Sequence, residues 1–174
     1  MEDGSTTKNT RPLDVSFALG PPEIGWLNNN PVKEGKMTTA KKAVEWVERA
    51  KAFCRATGTP IALAEFSNRR GQFNQNRQYI FVLDLDGVML AHGTNHHFVG
   101  HNFIDVKDGN GKPFVREIVD TAKATGSGWT DYQWFDPVTQ KELPKSLYFE
   151  KFDDVIICCG TYKDVPEPSE LELL

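Results

Sequence analysis

All four histidines of the chain lie within ten consecutive residues, at His92, His96, His97 and His101. Clustered imidazoles can hold a transition metal, and pairs four residues apart would share one face of a helix. Glycine and asparagine residues between them indicate a loop instead, where spacing alone fixes no ligand geometry. We therefore expect loop histidines that face solvent or form hydrogen bonds, and no metal site. His92 differs because it ends a predicted strand, where it could contact a ligand.

Two aspartates, Asp84 and Asp86, follow an apolar run and precede Gly87. The segment 81–90, FVLDLDGVML, resembles the first motif of haloacid dehalogenase-type phosphatases, in which one aspartate attacks phosphorus and the other acts as acid and base. In those enzymes the aspartates end a parallel strand, which a long crossover must follow. Here Asp86-Gly87 is a hairpin signal and a strand over 88–92 follows at once. We therefore expect a turn and no catalytic residues, and the phosphatase is the least favoured alternative.

A lysine interrupts an apolar row on the strand predicted over residues 143–152. Alternation places Lys145 on the same face as Leu143, Leu147 and Phe149. A lysine in such a row is unusual. It either reaches water from the start of the strand or offers a positive charge to a bound anion.

The preceding strand, predicted over 128–135, has Thr130, Tyr132 and Trp134 on one face. Tyrosine and tryptophan combine an aromatic body with an O–H or N–H donor. These side chains can therefore line a ligand cavity, although packing in the core accounts for them nearly as well.

The chain has the length and composition of one globular domain, with 174 residues, 39% hydrophobic residues and a net charge of −4. No basic stretch is dense enough to follow a phosphate backbone, so we expect no nucleic-acid partner. No apolar run reaches the length of about 18 residues needed to cross a membrane. The first ten residues do not resemble a secretory leader, so a soluble protein is expected from the sequence as given. The three cysteines lack C-x-x-C spacing and are interpreted as buried small hydrophobic residues.

Three helices are predicted to support these residues. Helical spacing of apolar residues over 38–57 indicates an amphipathic helix that Gly58 can end. A second short helix is predicted over 61–66. A third begins at Pro113 and closes at Gly126.

Five strands are predicted over 79–85, 88–92, 128–135, 143–152 and 155–162. Hairpin turns near both ends of this series favour an antiparallel sheet with helices at its sides, an α+β domain. The domain is expected over 38–164. Residues 1–37, rich in proline, glycine and asparagine, are expected to form an irregular extension, and 165–174 a flexible acidic tail.

Six motifs occur in an order that resembles one known family. They are the hairpin over 79–87 with 90–93, Val99-Gly100-His101-Asn102, the 108–112 turn, the 128–134 strand, Pro144-Lys145-Ser146-Leu147-Tyr148, and Cys159-Gly160-Thr161-Tyr162. Together they cover about residues 61 to 163 and resemble type 2 single Cache domains, the PAS-like sensor parts of many bacterial chemoreceptors and histidine kinases.

The resemblance implies a long N-terminal helix packed on a five-stranded antiparallel sheet, with a small-ligand pocket on the other face. Lys145 would pair with a ligand carboxylate, while Tyr132 and Trp134 supply a donor and an aromatic wall. Phe81 would form the floor of this pocket. His92 and Asn102 would close it from the loop.

The sequence therefore predicts a non-catalytic sensory or binding module for a small organic carboxylate, with no cofactor. It would be a stand-alone Cache protein without membrane insertion, and a homodimer is possible. The alternative is a protein-interaction or oligomerisation module with a vestigial pocket. The compartment stays open, because the family is usually extracytoplasmic.

Overall fold

The computed structural model of the protein describes residues 34–75, 77–163 and 165. Its elements in chain order are α1 (Glu34–Thr57), α2 (Thr59–Phe66), β1 (Asn74–Gln75), β2 (Gln78–Asp84), β3 (Met89–His92), a short 3-10 helix (His96–Phe98), α3 (Phe114–Thr125), β4 (Ser127–Phe135), β5 (Glu142–Phe152) and β6 (Val155–Tyr162). The three helices and five strands predicted from the sequence are therefore present. Residues 34–37, assigned above to the extension, belong to α1. The rest of the predicted extension and most of the predicted tail lie outside the described residues.

The strands form one antiparallel sheet in the order β1-β2-β6-β5-β4, with β3 also paired to β2. β1 pairs with the start of β2, where Asn74 lies opposite Tyr79, and β3 pairs with its later part, where Phe81 lies opposite His92. The two short strands share one edge of β2 because β6 occupies the other. The predicted α+β fold is confirmed, and the two-residue β1 is an addition to the five expected strands.

Alternation along β2 divides its side chains between two hydrophobic cores. Ile80 and Val82 pack with α1 and α2 on one face of the sheet. Tyr79, Phe81 and Leu83 pack with α3 on the other face. The central strand β6 is buried on both faces, which explains its continuous apolar run.

Helix α1 covers one face of the sheet with an apolar stripe. Its fully buried members Ala43, Val47 and Ala50 are three or four residues apart, the spacing of one helical face. At the margin of the stripe, Lys51 Nζ donates to Glu150 of β5 at 2.5 Å. This ion pair, together with the apolar contacts, fixes the helix on the sheet.

The Asp84 carboxylate closes the turn between β2 and β3. Its Oδ1 accepts from the backbone N–H of Asp86 at 2.9 Å and of Val88 at 2.8 Å, and Gly87 has a φ of 86°. β3 therefore follows β2 directly and antiparallel to it. The parallel strand and crossover that a phosphatase of the haloacid dehalogenase type requires are not formed at these aspartates.

The opposite face of the sheet is covered by α3 and the long loop 93–112. The buried residues of α3 lie along one side of the helix, and the helix ends at Gly126 in a left-handed conformation with a φ of 85°. Phe98, Phe103, Ile104 and Val106 of the loop pack against the same core. None of the helices in the described ranges is long and apolar enough to cross a membrane.

Candidate ligand-binding site

A cavity enclosing about 270 Å³ of empty space, its open mouth included, lies between the sheet, α3 and the long loop. It is on the face of the sheet opposite α1. The residues that line it come from β2, β3, β4, α3 and the loop: Tyr79, Phe81, Met89, His92, Phe103, Phe114, Val115, Tyr132 and Trp134. Its wall is thus mostly aromatic, with polar atoms at two phenols, one imidazole and one indole. None of these described lining residues is acidic.

Tyr79 connects this cavity to the buried Lys145. The Lys145 ammonium donates a hydrogen bond of 2.7 Å to the Tyr79 hydroxyl oxygen. The same nitrogen lies 4.2 Å from the centroid of the Tyr79 ring and 5.0 Å from that of Tyr162. Lys145 is therefore held by an oxygen and by two aromatic faces.

Lys145 is only 1% exposed, so it does not reach water from the strand. In the part of the chain that the structure describes, no carboxylate oxygen lies within 4.0 Å of its ammonium nitrogen. Gly160 on the adjacent β6 makes the space for it, since a Cβ there would lie 2.3 Å from Lys145 Cε. Lys145 is not among the residues that line the cavity. It contacts the cavity wall from behind, through its hydrogen bond to Tyr79.

His92 lines the cavity and is 3% exposed. Its ring lies between those of Phe81, at 5.8 Å, and Phe98, at 5.1 Å. Its Nδ1 accepts from the backbone N–H of Asn95 at 3.0 Å and of Thr94 at 3.3 Å. Burial, and next the nearby Lys145 charge, lower the pKa of His92 from 6.5 to about 3, so the ring is neutral at ordinary pH.

Tyr132 and Trp134 form the β4 wall of the cavity. The Tyr132 ring stacks on Phe114 of α3 with centroids 4.2 Å apart and planes at 4°, and Trp134 meets Phe114 edge-on at 5.2 Å. Burial, and then the neighbouring Tyr79, raise the pKa of Tyr132, so its hydroxyl keeps its proton. No other described residue bonds to that hydroxyl, which remains available as a donor.

Asn102 is placed away from the cavity, contrary to the sequence expectation. It is exposed, its Nδ2 donates to the carbonyl of Asp86 at 3.1 Å, and its Oδ1 accepts from Ile104 N–H at 2.8 Å. The side chain is therefore used to fold the loop onto the β2–β3 turn. Phe81, His92, Tyr132 and Trp134 do lie together at the cavity, and Lys145 lies behind it.

The other three histidines are exposed on the loop, where the rings of His96 and His97 are 4.6 Å apart. They do not approach His92 in the buried wall. Within the described ranges, no group of three His, Cys, Asp or Glu side chains is arranged to hold a metal ion.

Five lining residues were not selected from the sequence: Tyr79, Met89, Phe103, Phe114 and Val115. Tyr79 was within reach of sequence reasoning, since it is two residues from Phe81 on a strand and shares its face. Phe114 and Val115 begin the buried side of α3 and resemble any other core residues. Phe103 carries no signal, because its position depends on the path of the loop.

Comparison with known proteins identifies relatives of this arrangement. A family model described as single Cache domain 2 matches residues 31–171. The curated sensor histidine kinase MctS of Rhizobium johnstonii is 33% identical over 88 residues, which are 49% of this chain and 19% of the kinase. The chain therefore matches about one fifth of the length of that relative.

Solved structures share the fold. A methyl-accepting chemotaxis protein from Vibrio parahaemolyticus aligns with a TM-score of 0.66 and 20% identity, over 76% of this chain and 93% of its own. A structure described as the basis for carboxylic acid recognition by a Cache chemosensory domain aligns with a TM-score of 0.62 and 25% identity, over 78% and 100% of the two chains. A periplasmic sensor domain of a chemotaxis protein aligns with a TM-score of 0.58 and 26% identity, over 74% and 97%.

Proposed function

Because this chain belongs to the single Cache domain 2 family, we propose that it is a non-catalytic sensory module that binds a small organic monocarboxylate in the cavity beside Tyr79. A solved Cache domain of similar fold is described as recognising carboxylic acids. The observation that carries the proposal is the buried Lys145 ammonium, one hydrogen bond behind the cavity wall and without a carboxylate among the described residues around it.

A buried cation without an anionic partner is unfavourable, because the protein interior screens and solvates charge poorly. A carboxylate in the cavity would supply that negative charge. It would accept from Tyr79, whose oxygen receives one bond from Lys145 while the hydroxyl keeps a proton of its own to donate. Binding and electrostatic relief at Lys145 would thus occur together.

The character of the cavity wall supports one carboxylate and a short apolar remainder. Tyr132, Trp134 and neutral His92 offer N–H and O–H donors, which match the acceptor-only oxygens of a carboxylate. The described lining residues include no acid to pair with the ammonium group of an amino acid. A second carboxylate would find no second cation among them. The enclosed part of the cavity is small, because its volume of about 270 Å³ includes open solvent at the mouth, so we expect a short ligand.

We assign no reaction to the protein, because the candidate reactive side chains either have structural roles or have no base beside them. The Asp84 carboxylate accepts two backbone bonds in the hairpin turn. The described cavity wall contains no serine, cysteine or carboxylate beside a base, which nucleophilic catalysis would require. We therefore propose binding without turnover. We also propose a place outside the cytoplasm, because one solved neighbour is a periplasmic sensor domain.

The test is a thermal-unfolding experiment with three related compounds: sodium propionate, the isosteric neutral propionamide, and alanine, which adds an ammonium group to propionate. We expect a rise in Tm with propionate that is much larger than with the other two, because a ligand of the folded state stabilises it by mass action. At 100 times Kd the stabilisation is about 2.7 kcal/mol.

Lys145→Met is the informative variant, because methionine has a similar volume and no charge. Its Tm without ligand should stay near or above that of the wild type, and the propionate response should disappear. Lys163→Met is the matched control, since that lysine is partly exposed and pairs with Asp131. An unchanged propionate response in Lys145→Met would refute the assigned role of Lys145.

A second candidate is a protein-interaction module, favoured by the outer face of the edge strand β4. Trp129 is 44% exposed and Phe135 is 52% exposed on that face. A dimer seen by sedimentation that dissociates in Trp129→Ser, combined with no response to propionate, would favour this function over ligand sensing.

A further inference from the structure

The backbone of the loop residues 94–99, here called the 94–99 loop, is attached to the domain in an unusual way. On its two sides, Gly93 N–H donates to Ile80 O at 3.0 Å and Gly100 N–H donates to Met89 O at 2.8 Å. Between these two points, Phe98 O accepts from His101 N–H at 3.1 Å, just beyond the loop. The other hydrogen bonds of the described backbone stay inside the loop and its 3-10 turn, except those to one side chain outside it. That side chain is His92.

The two bonds to His92 determine which ring nitrogen carries the proton. Asn95 N–H and Thr94 N–H both point at Nδ1, so Nδ1 must be the acceptor nitrogen. The neutral ring therefore carries its hydrogen on Nε2. Within the described residues Nε2 has no hydrogen-bond partner, and the ring lines the cavity. One nitrogen of His92 thus holds the loop while the other is a free donor at the ligand site.

We propose that His92 couples occupancy of the cavity to the 94–99 loop, an inference that rests on the proposed function. A carboxylate that accepts from Nε2–H polarises the imidazole and increases the electron density on Nδ1. Hydrogen bonds joined through one polarisable group strengthen each other, so the bonds from Asn95 and Thr94 shorten and strengthen when the cavity fills. A stronger hold on Nδ1 in turn favours ligand binding, because coupling between two sites is reciprocal.

Aromatic contacts around His92 also connect the cavity to the 94–99 loop. Phe98, the last residue of the 3-10 turn, lies edge-on to the His92 ring at 5.1 Å, and its ring centroid is 6.3 Å from that of Trp134, which lines the cavity. The outward side of the loop presents His96, His97 and Val99, which are exposed. A change at the buried ligand site is therefore transmitted to a surface that another protein segment can contact.

The tautomer can be tested without ligand. In protein labelled with ¹⁵N at histidine, long-range proton–nitrogen correlation distinguishes a protonated ring nitrogen from an unprotonated one. We expect the His92 signals to show hydrogen on Nε2 only. Hydrogen on Nδ1, or a mixture of both forms, would overturn the inference independently of whether any carboxylate binds.

The loop attachment can be tested with two complementary substitutions followed by amide hydrogen exchange. His92→Asn keeps an acceptor near the Nδ1 position but removes the Nε2 donor, and His92→Gln keeps a donor near Nε2 but removes the Nδ1 acceptor. Without ligand, we expect exchange at Thr94 and Asn95 to be roughly threefold to tenfold faster in His92→Gln than in wild type, and near wild type in His92→Asn. Equal exchange in the two variants would overturn the inference.

The coupling itself is measured by adding sodium propionate to wild type and both variants. Wild type should show slower exchange at Thr94 and Asn95, and neither variant should show that slowing. A rise in wild-type Tm with unchanged loop exchange would overturn this inference alone. No rise in Tm would overturn the proposed function for this probe and the inference with it.

Discussion

The ammonium nitrogen of Lys145 lies 2.7 Å from the hydroxyl oxygen of Tyr79 and 4.2 Å from the centroid of the same ring. One tyrosine therefore supplies both an oxygen and an aromatic face to a lysine that is shielded from water. Because Tyr79 also lines the cavity, the stability of the buried charge and the chemistry of the ligand site depend on the same side chain.

Tyr79→Phe should lower the free energy of unfolding by about 2 kcal/mol, because it removes a hydrogen-bond acceptor from a charged donor in the interior. The aromatic face remains, so the fold should persist. Urea denaturation measures the difference. Tyr148→Phe is the control, since its hydroxyl contacts Glu150 at 3.2 Å in a partly buried position on the other face of the sheet. An equal loss in both variants would contradict the special role of Tyr79.

His92 should make the protein sensitive to mild acid. Its pKa is lowered from 6.5 to about 3 by burial and then by Lys145, so between these values the unfolded chain takes up a proton and the folded chain does not. The free energy of unfolding therefore decreases as the pH falls through that window, because protonation of His92 favours the unfolded chain. Between pH 6.5 and 5 the loss is roughly 1.5 kcal/mol.

The measurement compares urea denaturation of wild type and His92→Gln at several pH values. The difference between the two free energies of unfolding should change by that amount, because the other titrating groups are common to both proteins. His97→Gln, at an exposed position, should follow wild type. Parallel pH curves for wild type and His92→Gln would exclude a buried neutral His92.

Gly160→Ala should weaken carboxylate binding without touching the cavity wall. The added Cβ would lie 2.3 Å from Lys145 Cε, so the lysine must move from its position beside Tyr79. We expect a lower Tm and a propionate response reduced by about tenfold in affinity, the effect of roughly 1.4 kcal/mol. Calorimetric titration measures it. Gly109→Ala is the control, because its added Cβ would lie 2.3 Å from Glu142 Oε1, an equally close approach to a side chain away from Lys145.

Asp136→Asn should destabilise the β4–β5 connection. The buried Asp136 carboxylate accepts from Arg77 Nε at 3.1 Å and from Thr139 Oγ1 at 2.6 Å. Removing the charge leaves the buried guanidinium without this anion, at a cost of about 3 kcal/mol. Asp131→Asn breaks an exposed pair with Lys163 and should cost less than about 1 kcal/mol. Similar Tm losses in the two variants would contradict the prediction.

The strands were predictable because side-chain alternation and turn residues are visible within a few residues of the sequence. Alternation on β5 correctly grouped Lys145 with Leu147 and Phe149, which occupy one core face together. Turn residues at Asp86-Gly87 correctly marked a hairpin. These features depend on neighbours within a few residues, which the sequence displays directly.

The positions of Lys145 relative to the cavity and of Asn102 were not predictable in this way. Lys145 lies behind Tyr79 because β2 and β5 are both paired with β6, although the two residues are 66 positions apart in the chain. Asn102 lies beside the β2–β3 turn, where its backbone forms an isolated antiparallel bridge with Val88 and its side chain donates to the Asp86 carbonyl. Both outcomes depend on long-range pairing, for which a single sequence carries little signal.

β6 is the last of the strands that the structure describes, yet it lies between β2 and β5 in the middle of the sheet. During synthesis, β2 therefore leaves the ribosome about 70 residues before the strand that joins it to β5. The cavity wall from β2 and the wall from β4 come to their final distance only when 155–162 has been translated. We expect nascent chains arrested before residue 155 to expose unpaired strand edges and to engage chaperones, so that ligand competence is gained only after residue 162 has been synthesised.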